Sequence, residues 1–65
     1  MMRYALLYER LGETVVAHYA DATTLAVDHF EYIPAPRNEA EQTMIAQGWQ
    51  YRNTPGPQSI LMQHA

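Results

Sequence analysis

A chain of 65 residues that contains no cysteine must hold its fold by packing alone. At this size only about 60% of the surface exposed by the unfolded chain becomes buried. A core so limited supplies roughly 3–5 kcal/mol, and small chains normally add disulfides, a metal or a second subunit to it. Without thiols, a disulfide framework, thiolate catalysis and cysteine-based zinc sites are excluded. A partner subunit is the remaining source of stability. Residues 1–65 read as one small domain.

Charge narrows the partners. Seven acids face four basic residues, a net charge of −3, and lysine is missing altogether. Arg3, Arg10, Arg37 and Arg52 are spread along the chain, so the basic stripe expected of a duplex-binding protein is absent. The longest wholly apolar run, Tyr4 to Tyr8, is far too short for a membrane span or a signal-peptide core. A soluble, cytoplasmic protein is expected.

Ile33-Pro34-Ala35-Pro36 forms an internal corner, because each proline forbids a continuous helix and biases the residue before it toward extended backbone. The corner is not a domain boundary, since neither side is large enough to stand alone. After it comes one helix, about residues 38–47. Asn38 reads as its cap with Glu41 three residues on, and Ala40, Met44 and Ile45 as its apolar stripe. Gly48 closes it in the left-handed conformation, and Trp49 folds back onto Met44.

Strand signals surround that helix. Arg3–Glu9 and Glu13–Tyr19 flank Arg10-Leu11-Gly12 as a hairpin, and Thr23–Ile33 adds a third strand after a turn at Asp21. Trp49–Arg52 and Ser59–Met62 flank Thr54-Pro55-Gly56-Pro57 as a second hairpin. The expected fold is α+β: a small antiparallel sheet, an N-terminal β-meander plus a C-terminal hairpin, with the helix on one face. Two helical alternatives stay open, over residues 2–11 closed by Gly12 and over residues 22–33 capped by Asp21. A turn at Leu11-Gly12 sets Tyr8 opposite Val15, Leu6 opposite Ala17 and Tyr4 opposite Tyr19. Ala5, Leu7, Val16 and His18 then occupy the other face, so both faces are mostly apolar, unlike a sheet with one wet side. One short helix covers one face. A second subunit or a partner protein covers the other, unless the C-terminal hairpin folds across it.

Asp28-His29-Phe30-Glu31 is the densest ionisable cluster. His29 and Glu31 share a face of a strand, a spacing open to a divalent metal or to a general base, although two ligands do not complete a site. With a simple hairpin at Asp21, His18 lies several residues along the sheet from His29, and His64 frays at the end of the chain. No serine or threonine has a paired base at a recognisable spacing, and Gly12, Gly48 and Gly56 are too far apart to cradle a phosphate. No cofactor and no catalytic residue is expected. The tyrosines, with Phe30 and Trp49, suit either base stacking or an interface, where aromatics bury large area at low entropic cost; without adjacent cations the interface reading prevails.

The run from Glu39 to Leu61, a helix closing in Gln47-Gly48-Trp49 followed by a hairpin, resembles the HicA family of small toxins. The resemblance covers about a third of the chain and implies a double-stranded-RNA-binding-type fold that cleaves messenger RNA. The family's Gly-Ser-His segment has no counterpart in Gly56-Pro57-Gln58-Ser59, so the catalytic residue is missing. The expected function is therefore a non-enzymatic, homodimeric protein-interaction module, with Tyr4, Tyr8, Tyr19, Tyr51 and Arg52 as its partner-binding residues. Arginine as the sole basic side chain and a high alanine content point to a GC-rich bacterial or bacteriophage genome, and to an inhibitor or accessory protein that occludes a partner. The alternatives are a small enzyme or ligand-binding module around His29 and Glu31 at a subunit boundary, and an RNA-binding toxin-like domain.

Overall fold

Two residues join the first pair of strands. β1 (Arg3–Arg10) and β2 (Glu13–Tyr19) are linked by Leu11 at φ 55° and Gly12 at φ 80°, the paired positive angles of a type I′ turn, whose twist matches that of the strands. The turn sets the register Tyr8↔Val15, Leu6↔Ala17, Tyr4↔Tyr19, as expected. Gly12 adopts its angle freely, whereas a side chain bearing a Cβ loses about 1–2 kcal/mol there. Leu11 recovers none of this by packing, being 94% exposed. Leu11→Asn should therefore raise stability by about 1 kcal/mol, or roughly 4–8 °C in Tm for a chain of this size. A melting curve that moves downward would contradict this account of the turn.

The computed structural model describes residues 2–24, 26–52 and 59–65. It is a small α+β fold: a five-stranded antiparallel sheet in the order β3-β2-β1-β5-β4 with one helix. Among the described residues no helix is long and apolar enough to cross a membrane. Both open alternatives resolve as strand. β3 spans Val27–Ile33 and starts later than Thr23. The reason is an Asx turn: the Asp21 carboxylate accepts hydrogen bonds from the Thr23 amide and hydroxyl, both at 2.8 Å, which withdraws Thr23 from any ladder. The helix over 22–33 does not form because Val27–Ile33 is laddered to β2.

The helix α1 spans Arg37–Ala46 and begins ahead of Asn38. Pro36, at φ −56° and ψ 150°, stands at its N-cap with no side-chain cap, and the Pro36 carbonyl accepts from the amides of Glu39 and Ala40, each at 3.1 Å. Proline is pre-set for this entry by its fixed φ. Asn38 lies inside the first turn, where its side-chain oxygen accepts from the adjacent Glu39 amide. No capping box forms, and Glu41 is left for another use. The corner before the helix is tied to the sheet by the buried Thr14, whose hydroxyl donates to the Ala35 carbonyl.

The other helix end follows the expected pattern. Gly48, at φ 100°, donates to the Ile45 carbonyl at 3.0 Å, and the Trp49 amide donates to the Met44 carbonyl at 3.1 Å. These are the paired bonds of a Schellman ending, with its accompanying hydrophobic contact between Trp49 and Met44. The helix buries Ala40 and Met44; Ile45 departs from the expected stripe and is 44% exposed. Ala40, Met44 and Trp49 pack with Ala5, Leu7, Val16 and Met62 into the core, flanked by Ile33 and Ile60.

After the helix, β4 (Gln50–Tyr51) and β5 (Ile60–His64) pair through Gln50↔Gln63 and Tyr51↔Met62. The Pro-Gly turn expected between them lies outside the described residues. β5 inserts beside β1, with Arg3↔His64, Ala5↔Met62 and Leu7↔Ile60 in register. The second hairpin thus widens the sheet instead of folding across its far face. His64 is a strand residue, not a frayed end: its imidazole donates from Nε2 to the Gln47 carbonyl at 3.0 Å and meets the Trp49 ring edge-on at 5.2 Å.

Candidate interaction surface

Strand alternation decides what each face carries. Opposite the helix, β1 contributes Tyr4, Leu6 and Tyr8, and β2 contributes Val15, Ala17 and Tyr19 in register with them. β3 adds Phe30 opposite Ala17 and Tyr32 opposite Val15. On the far side, Leu61 of β5 stands beside Leu6. No described element lies over this face.

Its relief follows from side-chain size. The short Val15 and Ala17 of β2 are 0% and 1% exposed, and taller neighbours flank them on both sides: Tyr8 and Tyr32 beside Val15, Leu6 and Phe30 beside Ala17. Such cross-strand pairs are the unit of packing on an open sheet. The price of shelter falls on the tall side chains, with Phe30 51% and Tyr32 55% exposed. Arg52 adds a cation, its guanidinium carbon 4.9 Å from the Tyr4 ring centroid, a contact worth about 0.5–1 kcal/mol at an exposed site. Burial, and then the nearby Tyr8, hold the Tyr19 phenol above the ordinary tyrosine range, so it stays an un-ionised hydroxyl near neutrality.

Of the expected contact residues, Tyr4, Tyr8, Tyr19 and Arg52 meet on this one face. Tyr51 stands on the helix side, opposite Met62, and donates its hydroxyl to the Glu41 carboxylate, which raises its pKa. Phe30, Tyr32 and Leu61 belong to the surface but were not among the expected residues. The alternation of Phe30 and Tyr32 with His29 and Glu31 was the available signal.

The helix side carries a second constellation. His18 and His29 are directly opposite in register, not separated along the sheet, because the connection after β2 is longer than a turn at Asp21 would make it. Their rings stack at 4.1 Å and 12°, and His18 Nε2 lies 3.3 Å from Glu31 Oε2. Trp49 presents its ring to His18 at 6.0 Å and 65° and lies 5.5 Å from the Arg3 guanidinium carbon. A cleft of about 280 Å³ opens here, with His18, Glu31, Thr43 and Trp49 among its lining residues. His29 and Glu31 do share a face, but the base–acid contact runs from Glu31 to His18. Among the described residues no group of three or more histidines and carboxylates is placed to hold a metal ion. The Thr43 hydroxyl in the cleft donates to the Glu39 carbonyl at 3.1 Å, so it is already engaged rather than aimed at His18.

A scan against protein-family models finds no match to this chain, and neither a search of curated proteins nor one of solved structures finds a significant relative.

Proposed function

We propose that this protein is a non-enzymatic protein-interaction module, and that the aromatic face of its sheet is the surface it presents to a partner protein. The observation that supports this most directly is the half-exposure of Phe30 and Tyr32 on a face that the helix does not cover. Contiguous exposed apolar surface on a small soluble chain marks a contact site, and tyrosine and arginine are over-represented among residues that dominate interface energetics. The matching partner surface is flat and apolar, with acceptors for phenol hydroxyls and a carboxylate for Arg52. A module of this kind works in the cytoplasm by covering, as an inhibitor or accessory protein that occludes part of its partner. Beside the His18–Glu31 contact, the Thr43 hydroxyl among the described residues is engaged with the Glu39 carbonyl, which favours binding over catalysis.

The test compares Tyr8→Ser on the proposed surface with Gln42→Ser on the exposed side of the helix, after circular dichroism has shown both variants folded. A partner isolated with the unaltered chain should bind Tyr8→Ser at least about tenfold more weakly, the minimum expected of a residue at an interface centre, and Gln42→Ser unchanged. Equal loss in both, or in neither, removes the aromatic face as the binding surface.

A further inference from the structure

The two edges of the sheet are unlike. On one side β4 is two residues long, and very short edge strands are one means by which proteins prevent unwanted pairing. On the other, β3 runs for seven residues. It pairs with β2 alone, and no described residue pairs with its outer side. Residues 27–32 are all exposed, and the strand contains no proline or lysine to discourage a neighbour.

Its two acids, Asp28 and Glu31, would ordinarily serve that purpose, but their spacing gives the opposite result. Counted outward from Phe30, the strand is chemically self-complementary: His29 is balanced by Glu31, and Asp28 by Tyr32. When two strands run antiparallel about a twofold axis through Phe30, residues equally distant from it stand opposite one another on the same face. Phe30 then meets Phe30 of the second copy on the aromatic face. On the helix face His29 meets Glu31 of the second copy, and by symmetry this pair forms twice. Both side chains already lie on that face, opposite His18 and Val16 respectively.

Neighbouring registers fail on charge. Centred on Glu31, the two Glu31 carboxylates oppose each other and His29 faces Ile33. Centred on His29, the two imidazoles oppose each other, Asp28 faces Phe30 and Glu31 is left without a counterpart on its own face. The match ends at Asp28 and Tyr32, because the irregularity between His18 and Tyr19 sets Val27 opposite Tyr19 and so carries it to the aromatic face, away from Ile33.

We infer that β3 is a self-pairing edge, through which two copies of this chain join antiparallel about Phe30 into one continuous ten-stranded sheet. The inference goes beyond the proposed function and does not depend on it. Its consequence for that surface is continuity: the two aromatic faces merge, and Phe30 and Tyr32 move from an edge to the centre. The pairing is short, so the interface lies at the small end of the range and the dimer is weak, with Kd on the order of 1–100 μM.

Light scattering coupled to gel filtration, from about 1 to 500 μM, should show the unaltered 7.5 kDa chain passing from monomer to dimer. Glu31→Lys sets a cation opposite His29, and His29→Glu sets two acids opposite each other; each should weaken self-association at least about tenfold. Mixing these two singly altered chains restores every pair in a heterodimer, so the mixture should associate where neither does alone. The double variant should likewise recover as a homodimer. Tyr8→Ser, away from the edge, should leave the dimer intact. Melting curves of each variant separate lost pairing from lost folding. A chain that remains 7.5 kDa throughout overturns the inference, as does a dimer indifferent to the charge exchange. A dimer abolished by Tyr8→Ser also overturns it, because the copies would then be joined through their aromatic faces.

Discussion

Trp49→Ala is expected to unfold the protein at physiological temperature. Trp49 is 7% exposed and belongs to the core, where it closes the helix end over Met44. Truncating a buried aromatic side chain to alanine costs about 3–5 kcal/mol, as much as the whole stability expected of an uncross-linked chain of this size. The loss extends past the core, since the same ring meets His18 and His64 edge-on and lies near Arg3. Far-ultraviolet circular dichroism would report it as loss of the native signal at 37 °C. Trp49→Phe keeps most of the buried ring and should stay folded. A Trp49→Ala chain that melts within a few degrees of the unaltered one would mean that the helix docks by some other contact.

The second large effect is expected at Gly48. Its φ of 100° lies where only glycine is at ease, and holding another residue in so sparse a region costs about 1–3 kcal/mol. A Cβ there would also stand 2.9 Å from His64 Nε2, so the imidazole must move and its hydrogen bond to the Gln47 carbonyl is lost, at about 1 kcal/mol more. Gly48→Ala should therefore cost roughly 2–4 kcal/mol. Gly12→Ala is the internal comparison, since its Cβ would meet nothing within 4 Å and the cost is conformational only, about 1–2 kcal/mol. Urea unfolding of the two variants separates the terms. If both lose the same amount, the approach of His64 to the helix end is not a constraint on folding.

What could be read from the residues beforehand was local. The Leu11-Gly12 turn specifies the whole β1–β2 register because the loop is so short that one residue of slippage would exchange the faces. Gly48 and Trp49 similarly announce the helix end and its packing. The helix start was harder, because Asn38 has the chemistry of a cap yet Pro36 was already fixed in the entry conformation. At β3, Asp21 offered both a turn and a helix cap, and the hydrogen bonds that its carboxylate accepts from Thr23 override the strand propensity of that residue. The pairing of β5 with β1 has no local signal at all. The His18–His29 stack depends on the length of the Asp21 connection, so it was lost with that turn. For the surface, tyrosine identity was a good guide within β1 and β2. It misled at Tyr51, because the side on which a two-residue strand presents its residues follows only from its pairing with β5.

The placement of β1 has a consequence for synthesis. Central in the finished sheet, β1 acquires its second neighbour only through residues 60–64, which bring His64 back beside Arg3. On the ribosome the β1–β2–β3 meander can form early from nearby contacts, but β1 lies at its margin and keeps one unsatisfied ladder until His64 has left the exit tunnel. Sequence-distant pairings of this kind form slowly and leave aggregation-prone edges in the meantime. The nascent chain therefore passes through a stage with bare backbone at both margins of the meander, and holdase chaperones have their opportunity there.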